Sequence, residues 1–416
     1  MLNCSRTKYP SMLRRVIYKK IGINPKLVLK NLVLLASAFV WDFLAYNFLK
    51  DVIPTNTSSF EQLEIMGASI GGIAVSAFFG SFVADRLKKR TPFISWWMFI
   101  GVFLSIMPIF LPLSSIEVII FVSTVFGIYF GLGMPIIMGY FAGCTSPGDR
   151  GTIGGVSFLT IGLSFFVLGN IGTGDVVITG VVLAAIRFIG LVLFLLLEGK
   201  VEPNFERKKP TYRCIIQNRP FVLYLIPWIM FNMVDYFTVP ITESLFPESL
   251  VLTSSVFENI LIGIFAVLTG FWIDTKGRKR AAILGFAILG LGYASLGFFP
   301  GNDYGWYFYT AADGIAWGIL NVIFLFTVWG DLAQRQNGEK FYVLGAIPYL
   351  LSSFMYSFIS QIFSETVQIF TFASFFLFIA ILPLVYAPET LPEKIMKEKD
   401  LKFYVEKAQK IAQKYY

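Results

Sequence analysis

The sequence predicts an all-α fold: a polytopic membrane protein of twelve transmembrane helices in two pseudo-symmetric six-helix bundles. Three observations predict it. Apolar runs are long enough to span a bilayer, basic residues sit in alternate loops, and the two halves echo each other. Of 416 residues, 56% are hydrophobic and 14% charged, with a mean hydropathy of +0.69. A soluble chain carries about 25% charge. About 20 apolar residues, rising 1.5 Å each, cross a hydrocarbon core of about 30 Å. Only helices or closed barrels satisfy their backbone there, and runs this long mean helices.

The first six runs cover 28–49, 63–84, 92–112, 118–143, 154–172 and 177–197. The second six cover 220–240, 256–273, 281–299, 306–329, 341–363 and 367–388. The segments follow: a basic N-terminal stretch 1–27, a six-helix bundle 28–198, a linker 199–219, a second bundle 220–388 and a tail 389–416.

Basic residues test the topology. The N-terminal stretch as far as Lys30, the loops after spans 2, 4, 6, 8 and 10 and the tail hold 32 of the 34 Lys and Arg. Lys50 falls on the opposite side and Arg187 inside a span. This bias puts both termini in the cytoplasm of a multi-pass plasma-membrane protein. The net charge of +8 is a topology signal, and no basic–aromatic interleaving points to nucleic acid. Cys4, Cys144 and Cys214 lie on the cytoplasmic side, which argues against disulfides. There is no His, hence no His-based metal site or triad. No cofactor is expected. The first apolar run is a full span without a cleavage site, so it is not a cleaved signal. Asn56-Thr57-Ser58 is a glycosylation sequon on the outer side, a pattern common by chance.

The third observation is the internal repeat. SFVADRLKKR from Ser81 and GFWIDTKGRKR from Gly270 each end the second span of a half, with Asp85 and Asp274 189 positions apart. GIYFGLG from Gly127 echoes GIAWGIL from Gly314, and Gly143 echoes Gly330, at an offset of 187. Parallel six-span repeats are a transporter plan. The polar join, with Pro203 and Pro210, suits a linker. In the tail Leu401, Tyr404, Val405, Ala408, Ile411, Ala412 and Tyr415 recur at helical spacing among Lys, which predicts an amphipathic helix at the membrane surface. Residues 12–21 read similarly.

GFWIDTKGRKR resembles the loop motif of the major facilitator superfamily. Gly270, Asp274, Gly277, Arg278 and Lys279 fill its positions. The first copy keeps Asp85, Lys89 and Arg90, with Arg86 counted in the same candidate latch, but Ser81 and Lys88 replace its glycines. The resemblance implies a latch in which the Asp meets the positive N-terminal end of a neighbouring helix. Pairing at a wet rim is worth about 1 kcal/mol, which suits a bond that opens each cycle. Topology alone would explain the basic residues, but not Gly270 and Asp274. In the loop after span 4, Pro147, Arg150 and Gly151 loosely match the pattern of sugar-porter-like members, and PET at 388–390 echoes their tail. The Gly-Pro pattern of drug antiporters is missing from span 5, and Gly127 stands where their span 4 carries Arg.

Ionisable residues inside spans default to function. Asp42, Asp235 and Asp313 lie in spans 1, 7 and 10, which the resemblance makes cavity-lining. Asp42 sits about 18 Å along the helix from Lys30, near the midplane. Asp235 and Asp313 fall in the outer half. All three are candidates for proton or substrate coupling, with a structural hydrogen bond as the other open role. Arg187 is a possible charge partner, or marks the outer end of span 6 beside Asp175 or Glu365, and Glu258 is expected at the interface. Tyr46, Asn47, Asn232, Trp317 and Asn321 are possible substrate contacts, with Trp41, Tyr129, Trp228 and Tyr236 nearby. At 17% aromatic, most rings serve packing.

The expected function is secondary active transport of a small organic solute by alternating access, as a proton-coupled symporter working as a monomer in the bilayer. A proton-coupled exporter of drugs or metabolites is the alternative. An integral-membrane enzyme would want clustered nucleophiles or metal ligands, and a non-transporting sensor would not need three acids on cavity helices. There is no Walker motif to supply ATP as the energy source. Cysteine labelling checks the topology in a Cys-free background: Ser58→Cys should react from outside and Asn204→Cys from inside, and the reverse pattern would overturn it.

Overall fold

The structure, a computed structural model, describes residues 25–54, 57–168, 175–197, 209–334, 336–359 and 368–415. Twelve long helices follow the chain. The first six are α1 (Pro25–Asp51), α2 (Ser59–Arg86), α3 (Thr91–Ile106), α4 (Ile116–Cys144), α5 (Arg150–Leu168) and α6 (Val176–Leu196). The second six are α7 (Arg219–Leu245), α8 (Glu248–Lys276), α9 (Arg278–Phe298), α10 (Asp303–Ala333), α11 (Glu339–Ile359) and α12 (Gln368–Tyr386). All but α11 meet the apolarity expected of a full span among the described residues, and α11 is the twelfth by position. A further helix, α13 (Glu393–Tyr415), forms the tail. Residues 12–21, most of the linker, Asn56 of the sequon and Glu365 lie outside the described residues.

Local chemistry starts these helices. Ser58 and Glu61 form a reciprocal capping box at α2: the Ser58 N–H donates to Glu61 at 2.8 Å, and the Glu61 N–H donates to Ser58 Oγ at 3.3 Å. The Asp175 carboxylate accepts from Val177 and Ile178 N–H at 2.8 and 2.9 Å and caps α6. Two helices begin earlier than the apolar pattern predicts. α5 starts at Arg150, inside the motif loop. α8 starts at Glu248 with polar turns whose Thr253, Ser254 and Ser255 hydroxyls donate back to carbonyls three or four residues earlier. Hydropathy detects the solvent of a helix, not its first turns.

The outer faces are apolar, with Phe79, Trp96, Phe103, Phe166, Phe188 and Phe372 exposed. In a soluble protein such a surface would aggregate, whereas in lipid it is solvated. Inside each bundle the closest pairings are α2 with α4, and α8 with α10. The repeated glycines cause both. A Cβ on Gly127 or Gly131 of α4 would lie 2.2 or 2.3 Å from the carbonyl oxygens of Ser69 and Ile73 on α2. A Cβ on Gly314 or Gly318 of α10 would lie 2.9 or 2.7 Å from those of Glu258 and Ile262 on α8. The echoed heptapeptides are thus small-residue grooves at matching places, where two backbones approach without side chains between them. The bundles meet along α5 and α8, and along α2 and α11.

The tail helix does not simply lie on a membrane. It docks against the basic end of α8, where Lys276 pairs with Asp400 at 3.1 Å. Lys399 donates to the carbonyl of Asp274 at 3.0 Å and to that of Gly148.

These grooves predict a contrast. Gly131→Ala should lower the thermal unfolding midpoint, at a cost of about 1–3 kcal/mol. Gly162→Ala should not, because nothing lies within 4 Å of its Cβ position. Thermal unfolding in detergent of the two variants measures the difference.

Candidate functional site

Both motif copies lie at the basic end of the bundle, and each bonds to residues beyond its own bundle. In the second copy Asp274 accepts hydrogen bonds from the Gly151 N–H at 2.9 Å and the Thr152 N–H at 2.7 Å. These are first-turn amides of α5, free of intrahelical partners and at the positive end of the helix. The contact needs both glycines. A Cβ on Gly270 would lie 2.5 Å from the Gly151 oxygen, and one on Gly151 would lie 2.6 Å from Asp274 Oδ1. Arg278 stands 3.4 Å from Asp274 and donates through Nε to Asp331 at 2.8 Å. Its other donors reach the carbonyl of Ile273 at 2.6 Å and that of Pro147.

Asp331, at the end of α10, joins the halves. Arg150 forms an ion pair with it and also donates to the carbonyls of Ala142 at 2.8 Å and Thr145 at 3.1 Å. Gly277 has φ +95°, and the Glu389 carboxylate sits where its Cβ would be, accepting from Arg278 and Lys279 N–H at 2.8 and 3.1 Å. Glu389 thereby caps α9. Lys279 itself reaches the Val385 carbonyl at 2.6 Å.

The first copy differs as its sequence does. Ser81, in place of glycine, is buried and shares a 2.6 Å hydrogen bond with Tyr212 of the linker. Burial pushes the Tyr212 phenol up to about 12, so this bond persists across ordinary pH. Asp85 takes a side chain, Lys340, at 2.6 Å instead of helix amides, and Lys340 also donates to the Pro210 carbonyl at 2.9 Å. Arg90 pairs with Glu339 at 2.9 Å. Arg86 is exposed and stands apart.

Two expectations need correction here. The latch is not a wet rim: Arg90, Glu339, Arg150, Asp331, Asp274 and Arg278 are all at most 4% exposed. Removing one partner of such a pair strands a buried charge and costs about 3–5 kcal/mol. Arg187 is not at the outer end of span 6. It is fully buried, with its guanidinium 4.4 Å from the Trp97 ring, 4.9 Å from Trp41 and 5.2 Å from Tyr129. Asp175 is occupied as the α6 cap, and Asp42 is the acid within electrostatic reach of Arg187.

The mid-span acids are distributed over both bundles. Asp42 is partly exposed. Tyr349 on α11 lies in electrostatic reach of both Asp42 and Asp235 and packs edge-on to Tyr236, with centroids 5.9 Å apart. Asp235 is 5% exposed and accepts from Trp317 Nε1 at 3.2 Å. Asp313 is 4% exposed and faces Glu258 on α8, so Glu258 turns inward from its expected interfacial place. Tyr46 and Asn47 are half-buried on α1, and the Lys50 amine lies 4.8 Å from the Tyr46 ring. Asn232 and Asn321 are buried, and Asn232 donates to the Trp228 carbonyl at 2.7 Å. A π-helical segment, Val322–Thr327, follows Asn321 directly.

Trp41, Tyr129 and Trp228 serve packing. Trp41 donates to Ser105 at 2.7 Å, Tyr129 to the Trp97 carbonyl at 3.0 Å and Trp228 to the Gly345 carbonyl at 2.8 Å. Sequence reasoning missed Asp331, Glu339, Lys340 and Tyr349. A signal for the first three existed: the offset of 187 that pairs Gly143 with Gly330 also sets GDLAQRQNGEK beside the loop of Arg150. Tyr349 carried no signal among so many aromatics.

The family model of the Major Facilitator Superfamily matches residues 31–325. No curated protein sequence matches the chain. The solved MFS proton:xylose symporter XylE has a TM-score of 0.65 at 14% identity, covering 88% of this chain and 96% of that one. The human organic anion transporter MFSD10 (TETRAN) gives 0.61 at 13%, covering 87% and 100%. The E. coli fucose:proton symporter FucP gives 0.66 at 10%, covering 87% and 99%. Identities this low show a shared fold. With the family match over more than half its length, and two loop motifs each bonded to the opposite half, the chain belongs to the Major Facilitator Superfamily.

Proposed function

We propose that this chain is a proton-coupled secondary transporter that carries a small organic solute across the plasma membrane by alternating access, with both termini in the cytoplasm. One observation carries the reading: buried ion pairs join the two bundles at the basic end. Arg90–Glu339, Arg150–Asp331 and Asp85–Lys340 each take one partner from each half. With the basic end in the cytoplasm, this is the state closed to the inside. Transport then requires the network to break as a unit and the outer ends to close. Two of the similar structures are of proton symporters by name, which favours symport over export.

Asp42 is the residue proposed to carry the coupling proton. It is the mid-span acid of the N-terminal bundle, partly open and within electrostatic reach of the buried Arg187. An ionised carboxylate at that depth is costly unless paired. Protonation would release Arg187 from its charge partner, and deprotonation would restore the pair.

Two outcomes test this reading. Asp274→Asn keeps the side-chain shape but weakens its hold on the α5 amides and Arg278. It should destabilise the closed state by about 3 kcal/mol, lower solute uptake and change cross-linking between the halves at the basic end. Uptake at the wild-type level would reduce the motif to a topology signal. Asp42→Asn mimics the protonated carboxyl. It should retain counterflow between two solute-filled compartments while losing accumulation driven by a pH gradient. Loss of both would assign Asp42 to binding or folding, and retention of both would move coupling elsewhere.

A further inference from the structure

The spans of the C-terminal bundle contain acids and no base. From residue 220 to residue 393 the only Lys and Arg are Lys276, Arg278, Lys279, Arg280, Arg335 and Lys340. In the sequence all six fall at the end of α8, the start of α9, the turn after α10 and the start of α11, at the basic end. Asp235, Glu258 and Asp313 therefore have no Lys or Arg beside them in the spans of their own bundle. The N-terminal bundle is built the other way, with a buried Arg187 within electrostatic reach of Asp42.

A second observation, independent of the acids, shows what is missing. Asn232 and Asn321 are 0% and 2% exposed, and neither side-chain oxygen has a donor. Asp313 Oδ1 is likewise without one. Asn232 lies one turn from Asp235, and Asn321 one turn from Trp317, the two residues that bond across α7 and α10 at 3.2 Å. As the seventh and tenth spans, these helices run in opposite directions. Both amides therefore step toward the basic end from the same contact and form a layer beneath it. Both amide oxygens thus lack a donor beside the one acid–indole bond that joins α7 to α10.

We infer that this contact between α7 and α10, with Asp235 and the two amides, binds a small organic cation rich in N–H donors, such as a primary ammonium or a guanidinium, as the transported solute. The inference rests on the transport reading above and gives it a substrate class. A proton alone would discharge a carboxylate but leave both amide oxygens unsatisfied. A neutral polyol would satisfy the amides but leave the acids without a counter-charge. An anion would be repelled. Among the described residues no group of three or more acids, His or Cys is arranged to hold a metal ion. The half-buried Trp317 indole adds a face that attracts a cation. Asp235 would take the charge, Trp317 would orient Asp235, and the amide layer would accept the remaining N–H groups.

Binding of agmatine and phenethylamine, with D-xylose and benzoate as neutral and anionic comparisons, tests this on the purified full chain by thermal shift. Both amines should raise the unfolding midpoint with saturation, and xylose and benzoate should not. Asp235→Asn should weaken agmatine binding more than about tenfold, while Asp235→Glu, which keeps the charge, should retain it and Gly162→Ala should match wild type. No shift with either amine, or equal agmatine binding by Asp235→Asn and wild type, would overturn the inference. Counterflow in proteoliposomes separates the two claims. Xylose exchange without amine binding overturns the cation site and leaves transport standing. Saturable amine binding without counterflow of labelled agmatine supports the site and overturns transport.

Discussion

One carboxylate sets the geometry of the basic end. Asp274 accepts from two first-turn amides of α5 in the other half, and it can do so only because Gly270 and Gly151 let the backbones of α8 and α5 meet. That approach fixes Arg150 and Arg278 on either side of Asp331. Those two guanidiniums then anchor the loop after α4 and the end of α10, while the Arg278 and Lys279 backbone N–H groups hold Glu389 at the start of α9. The tail helix rests on the result, with Lys399 donating to Asp274 and Gly148 carbonyls from opposite halves.

The two motif copies show how one residue changes a contact without changing the fold. Gly270 gives helix-to-amide pairing. Ser81, at the matching place, keeps α2 away from the facing helix and instead engages Tyr212 of the linker. Asp85 then needs a long partner, and Lys340 supplies it. Lys340 also bonds the Pro210 carbonyl, so the linker is tied to the start of α11 and, through Asp85, to the end of α2. The departure from the motif is compensated by neighbours that only the fold brings together.

Much of the fold was legible in the sequence because a bilayer leaves few options. Twelve apolar runs, a one-sided basic bias and two glycine-spaced heptapeptides gave the helices, their order and the pairing of halves. The start of α8 was not legible, since Glu248 to Ser255 is helical without being apolar. The site was legible in part. Asp274, Arg278, Arg150, Asp42 and Asp235 stand out as charges in unusual places. Glu339, Lys340 and Asp331 look like ordinary loop charges until the loop after α10 is set against the first motif. Arg187 was misplaced because hydropathy gives depth along a helix but not direction around it. Only the packed structure shows that it turns toward Trp41, Trp97 and Tyr129.

Buried ion pairs are a poor way to glue two domains and a good way to make a gate. Desolvating a carboxylate and a guanidinium costs several kcal/mol each, and their attraction roughly returns it. Closing the network is then close to neutral, because opening lets water solvate the same groups. An apolar contact of equal area would favour the closed state strongly and offer no such return. Misalignment is penalised at the same time, since a half-made network strands a buried charge. The latch is therefore selective about geometry while weakly biased between open and closed. In the proposed cycle, groups at mid-span such as Asp42 with Arg187 in electrostatic reach, and Asp235 bonded to Trp317, need change their interaction energy by only a few kcal/mol to shift the population between the two states.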